Sequence, residues 1–165
     1  GAELREAQLL TAQNVINCGM AVNIDIGDPA NIHPTSKSEV GRRLAILALN
    51  KTYGEDVDYS GPEYQGYQLE SGQIRINFAH TNDMKAKDGG VLRGFAIAGI
   101  DHEFHWADAH VEGNSVVVSS SEVNYPIAVR YAWDDNPDCN LINGSGLPAS
   151  PFRTDDWQGI TYGRK

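Results

Sequence analysis

The feature that most limits the fold of this chain is a change of hydrophobic period near Glu55. From there onward, apolar and polar residues alternate in short runs such as "GQIRINFA", which puts Ile74, Ile76 and Phe78 on one face. "NSVVVSS" and "PIAVRYAW" are further β-branched or aromatic runs, and "DGG", "EGN", "DDNP" and "NGSG" supply turns between or after such runs. A period of two belongs to a strand with one buried face, because helix side chains repeat every 3.6 residues. Residues 55–165 are therefore expected to form an antiparallel β-sandwich or jelly-roll-like domain.

Residues 1–54 carry a different pattern. Ala2 to Gln13 is rich in helix formers, with Leu4 and Ala7 on the expected buried side and Leu10 and Ala12 extending it. "GMAVNIDIG" alternates Met20, Val22, Ile24 and Ile26 with Ala21, Asn23 and Asp25 between two glycines, the pattern of a short strand. Ser36 and Glu39 have the spacing of a capping box, so a helix is expected to start there. Val40, Leu44, Leu47 and Ala48 would form its buried face, widened by Ala45 and Leu49, and Gly54 can take the left-handed conformation that ends it. The order helix, strand, loop, helix makes this an α/β piece, and the chain as a whole α+β.

Composition narrows the partners. Hydrophobic residues at 41% and charged residues at 21% are ordinary for a folded domain. The formal net charge of -9 repels phosphate backbones and anionic lipid, so neither nucleic acid nor a membrane surface is expected, and a carbohydrate or other small molecule fits better. No apolar run is long enough to cross a bilayer, and the N-terminus shows no basic-then-apolar signal. Cys18 and Cys139 lie far apart without metal-type spacing, and two free thiols are expected.

"GDPANIHPTSK" places His33 in the loop between the expected strand and helix. Loops beyond the carboxyl ends of strands border the crevice where α/β sheets bind ligands. An imidazole there can take a hydroxyl proton near neutral pH and return it to a leaving group. The alternative is a loop histidine bonded only to its surroundings, and spacing alone does not decide between the two. An orienting partner could be the Asp28 carboxylate or the Asn31 backbone carbonyl.

The stretch from Gly19 to Gly54, continued by "YSGPEY", resembles the C-terminal part of the sialate O-acetylesterase family of SGNH (GDSL-like) serine hydrolases. A second block, from Gly94 to Asp155, resembles the same family. The resemblance implies a carbohydrate esterase that removes O-acetyl groups from sialic acids, with no cofactor and an extracytoplasmic location, while the residues are equally compatible with acetylated plant polysaccharides. It puts the catalytic histidine in the "IHP" motif, here Ile32, His33 and Pro34. Many SGNH hydrolases carry an acid three residues before the histidine, whereas this chain has Ala30, so Asp28 and the Asn31 carbonyl both stand as orienting groups. In this reading residues 1–54 are the C-terminal piece of the hydrolase domain and residues 55–165 a β-sandwich domain.

The nucleophile block of that family is missing. "NGSGL" around Ser145 lacks G-x-S-x-G and sits in a β-domain loop rather than a strand-to-helix elbow. The serine is therefore expected from an upstream part of the same protein or from a partner chain, and the chain alone is expected to be inactive. An uncovered hydrolase fragment would also favour association, including a homo-oligomer.

Other clusters have plainer readings. "DHEFHWADAH" invites a metal, yet on a strand Glu103 and His105 would face away from His102, Phe104 and Trp106, and no metal is expected. Trp106, Trp133 and Trp157, with Tyr131 and Phe152, are either core or a sugar-stacking platform, and Tyr131 with Trp133 on one strand face favours core. Pro148 and Pro151 stiffen a segment that offers Arg153 to a carboxylate, while Arg5, Glu6 and Gln8 of "LREAQ" suit solvent or interdomain hydrogen bonds. A second reading of the whole chain is a non-catalytic β-sandwich module that binds carbohydrate or builds an interface.

Overall fold

The computed structural model describes residues 1–31, 33 and 35–163. Helix α1 (Ala2–Asn14) and helix α2 (Lys37–Lys51) precede ten strands: β1 (Glu63–Glu70), β2 (Gln73–Ala79), β3 (Lys85–Ala86), β4 (Phe95–Ala98), β5 (Phe104–Trp106), β6 (Asp108–Glu112), β7 (Ser115–Ser119), β8 (Ala128–Tyr131), β9 (Leu141–Ile142) and β10 (Phe152–Arg153). One four-stranded sheet has the order β1-β2-β7-β6, a second has β10-β8-β4-β5, and β3 pairs with β9. All strand pairs are antiparallel.

Alternation in the sequence sets this arrangement. In β2 every second residue is buried, so Ile74, Ile76 and Phe78 point inward and meet Val116 and Val118 of β7. The facing sheet supplies Phe95, Ile97, Val129, Tyr131 and Phe152 to the same cluster. Each fully buried aliphatic or aromatic side chain there is worth about 1.5–3 kcal/mol. The Tyr131 hydroxyl, deep in this core, accepts the N–H of Leu141. Gly61 lets the chain entering β1 pass against the Leu147–Pro148 backbone, where an added Cβ would sit 2.1 Å from the Pro148 carbonyl oxygen.

The N-terminal 54 residues depart from expectation in three ways. "GMAVNIDIG" forms no strand: residues 18–23 have no regular structure, Ile24 to Ile26 turn, and the segment has no ladder partner among the described residues. A lone strand gains nothing from its alternation, because its backbone groups need a neighbouring strand to pair with. Ser36 occupies the N-cap of α2 but makes no side-chain cap bond, and the Glu39 carboxylate accepts from Arg42 and Arg43 in place of the reciprocal box bond. The expected apolar faces are only partly covered: Val40, Leu47 and Ala48 of α2 and Ala12 of α1 are half-buried. Leu4 is 63% exposed and Leu44 52%, with Ala7, Leu10, Ala45 and Leu49 exposed as well, while the one buried residue of α2 is Arg43. Gly54 does take the left-handed conformation (φ 75°), donating its N–H to Asn50 to close α2.

Side chains fasten this piece to the sandwich. Arg5 donates to the carbonyls of Asp134 (2.6 Å) and Asp135, Glu6 pairs with Arg153 of β10 at 2.7 Å, and Gln13 donates to Glu63 of β1. Arg5 and Glu6 of "LREAQ" thus serve as hydrogen-bonding links between the two parts, Gln8 is exposed, and Arg153 finds its carboxylate on α1. Both cysteines are free thiols.

Candidate active site

The histidine loop is held from behind by a buried ion cluster. Asp25, in the turn after residues 18–23, accepts Arg43 Nη1 at 2.6 Å and Lys87 Nζ at 2.9 Å, and Arg43 also donates to Glu39 and the Val22 carbonyl. The Arg43 and Asp25 side chains are only 4% and 6% exposed. Burial pushes the Asp25 carboxyl up, but the hydrogen bonds and positive charges of Arg43 and Lys87 outweigh it and hold the group below its ordinary range. Glu39 is brought down to about 2, chiefly by the hydrogen bond from Arg42 and next by that from Arg43. The cluster ties α2, the 18–26 segment and the loop before β4 together, and so fixes both ends of the histidine loop.

Within the loop the polar side chains first satisfy backbone. The Asp28 carboxylate accepts the Ala30 N–H through Oδ1 at 2.9 Å, and the Asn31 side-chain oxygen accepts the His33 N–H at 2.9 Å. These short-range bonds are the Asx turns that such residues favour. His33 is exposed to solvent. Among the described residues its ring makes no hydrogen bond with Asp28 or with the Asn31 carbonyl. Ile32 and Pro34 of the "IHP" motif lie outside the described residues.

Asp28 lines one side of a groove of about 660 Å³. Its walls are Gln8 and Thr11 of α1, the segment from Cys18 to Ile24, and Asp135 to Pro137 of the sandwich. On that segment Asn23 Oδ1 is buried without a hydrogen-bond partner among the described residues. A group buried this way costs about 1–3 kcal/mol. Ser145 stands elsewhere, in the turn after β9, with its hydroxyl donated to Asp58. No histidine bonds it among the described residues, so it lacks the base a nucleophilic serine requires.

The clusters of the β-domain resolve into separate parts. His105 bonds Glu122 at 3.1 Å and His110 bonds Glu112 at 3.0 Å. Among the described residues no three His, Cys, Asp or Glu side chains converge as metal ligands would. Tyr131 and Phe152 are core, whereas Trp106 is 75% exposed and Trp133 and Trp157 are half-buried. Ala132 has φ 52°, which ends the alternation after Tyr131 and carries Trp133 out of the core position that its spacing predicts.

No family model matches the chain, and no curated protein matches it significantly. Among solved structures it is similar to the crystal structure of XAC1771, a carbohydrate acetylesterase from Xanthomonas citri, with 46% sequence identity and a TM-score of 0.91. The match covers 94% of this chain and 36% of that one, so the chain spans about a third of the length of the protein it resembles. In fold and in sequence, this chain is similar to part of a carbohydrate acetylesterase.

Proposed function

We propose that this chain is the histidine-bearing part of a carbohydrate O-acetylesterase and that a serine outside residues 1–165 completes the site. The similarity over 94% of the chain to part of a carbohydrate acetylesterase carries this reading. His33, exposed on a loop fixed by the Asp25–Arg43 pair, takes the serine proton as the serine attacks the acetyl carbonyl. The imidazolium then gives that proton to the departing sugar oxygen, and water repeats the sequence on the acetyl-serine. Asp28 uses Oδ1 on the Ala30 N–H, and Oδ2 has no protein partner among the described residues, so it is the side-chain group available to orient the ring. The Asn31 carbonyl is the alternative, and it would stabilise the imidazolium by a dipole rather than a charge.

Surfaces left open support a second polypeptide segment. The exposed Leu4 and Leu44, and residues 18–23, which pair with no strand among the described residues, would lie under the sheet of a hydrolase domain. In this reading the serine-bearing part covers these surfaces, and self-association of the chain competes with it. The finer assignment, an SGNH-type sialate O-acetylesterase acting outside the cytoplasm, rests on the sequence blocks Gly19–Gly54 and Gly94–Asp155.

The test is hydrolysis of 4-nitrophenyl acetate and of O-acetylated sialic acid and xylan. The 165-residue chain alone is expected to be inactive, and a polypeptide extended by the serine-bearing part is expected to turn over at least one acetylated sugar. Turnover by the chain alone would refute the divided site, and an extended protein inert on every ester would refute the esterase.

A further inference from the structure

A second hollow lies on the outer face of the sheet β10-β8-β4-β5. Cross-strand pairing sets Trp106 of β5 opposite Ala96 of β4, Ala96 opposite Arg130 of β8, and Arg130 opposite Arg153 of β10. Directly paired residues project from the same face. The row therefore has an exposed indole at one end, a methyl group as floor and a guanidinium as the far wall. Its volume is about 290 Å³, near the lower end of the range for small-molecule sites, about 300 Å³.

The walls are fixed. Arg130 donates Nε and Nη2 to Asp155, both at 2.8 Å, and the Asp155 side chain is fully buried. Its guanidinium carbon lies 4.3 Å from the Phe104 ring centroid and 5.5 Å from that of Trp133. Nη1 has no protein acceptor among the described residues. An exposed indole beside a small floor, with a held donor opposite, suits one ligand class well. A pyranose ring presents an apolar C–H face to stack on an aromatic ring and directs its hydroxyls sideways to donors and acceptors. Asp134 at the rim supplies an acceptor for those hydroxyls.

Position adds to the chemistry. Pro137 lines this hollow and also the 660 Å³ groove that contains Asp28, so one short loop separates the two. That loop is pinned to α1 by the Arg5 bonds to the Asp134 and Asp135 carbonyls. We infer that the Trp106–Ala96–Arg130 hollow is a carbohydrate subsite, in which a pyranose unit of the acetylated chain stacks on Trp106 while a neighbouring stretch of the same chain reaches the histidine loop. This inference rests on the carbohydrate esterase reading, but the sandwich itself holds the site and needs no serine to fill it.

Binding to the 165-residue chain separates the two claims. O-acetylated xylan, glucomannan and sialyllactose oligosaccharides are titrated while tryptophan fluorescence and calorimetric heat are followed. At least one is expected to bind and perturb the fluorescence, with affinity falling at least tenfold in Trp106→Ala. Ala96→Leu, which fills the floor but keeps the indole, is expected to lose affinity to a similar degree, and Tyr125→Ala, at an exposed side chain off this face, to bind as the parent does. Thermal melts of the variants check that the sandwich is intact. No binding by the parent chain, or binding by both the Trp106 and Ala96 variants as tight as the parent's, would overturn the subsite. An extended protein that deacetylates nothing would refute the esterase and leave this binding result standing.

Discussion

The β-sandwich and the helical N-terminal piece differ in what holds them. In the sandwich, Ile74, Ile76, Ile97, Val116, Val118 and Val129 are all fully buried between two sheets. In residues 1–54 the Arg43 and Asp25 side chains are buried as an ion pair, while Leu4, Leu10, Leu44 and Leu49 are exposed and Leu9 and Leu47 half-buried. A sandwich that closes on itself needs nothing added. In the proposed esterase a piece with a buried ion pair and exposed leucines would receive another surface, because an ion pair in isolation is a poor source of stability. The candidate catalytic loop sits in this second region, held by the Asp25–Arg43 pair beside Ile24, which packs against the sandwich core.

That contrast can be broken most sharply at Arg43. Arg43→Ala leaves Asp25 buried beside only Lys87 and should cost about 3–5 kcal/mol, the range for breaking a buried pair. The loss should be local: hydrogen exchange is expected to show the α2 amides losing protection while those of β2 and β7 keep theirs. Uniform loss across both regions would merge them into one cooperative unit.

Ile97→Ala is the counterpart in the sandwich. It removes a fully buried side chain from the packed core and should cost about 2–5 kcal/mol in urea denaturation, read as a lower midpoint at unchanged slope. Acid should act in the opposite region. Asp25 and Glu39 have folded-state pKa values below their unfolded ones, Glu39 at about 2, so their contribution is complete above the ordinary carboxylate range. It is lost as pH falls through the folded values toward 2, and α2 ellipticity is expected to fade there before the near-ultraviolet signal of the sandwich. Simultaneous loss of both signals would contradict the order. The smallest effect is expected at Leu44→Ser. An exposed side chain should change the stability of the chain by no more than about 0.5 kcal/mol, yet the same variant should weaken association with the serine-bearing part.

How far the sequence revealed all this follows the same division. Ile74, Ile76 and Phe78 were legible because period-two burial is a local property that the sheet then confirms. Leu44 and "GMAVNIDIG" misled because local apolar spacing does not say whether a partner lies alongside: Leu44 is exposed, and residues 18–26 pair with no strand among the described residues. Arg43 was hidden, since an arginine in a helix usually belongs to the solvent side and nothing local marks its pairing with Asp25, eighteen residues earlier. Ser36 and Glu39 had the spacing of a capping box, but two arginines competed for the carboxylate. His33 was singled out as a candidate by resemblance to a family motif, and its loop position alone leaves it undecided. The Trp106 hollow needed the register: Ala96 and Arg130 are distant from Trp106 in sequence, and only strand pairing brings the three into one row.

The most direct measurement of the central claim is the effect of His33→Ala in the protein extended by its serine-bearing part. With folding checked by circular dichroism, kcat/KM for acetyl release from an acetylated oligosaccharide is expected to fall by about 10³-fold or more, with most of the loss in kcat. Activity within a few-fold of the parent would show that His33 moves no proton in the reaction and would contradict the claim.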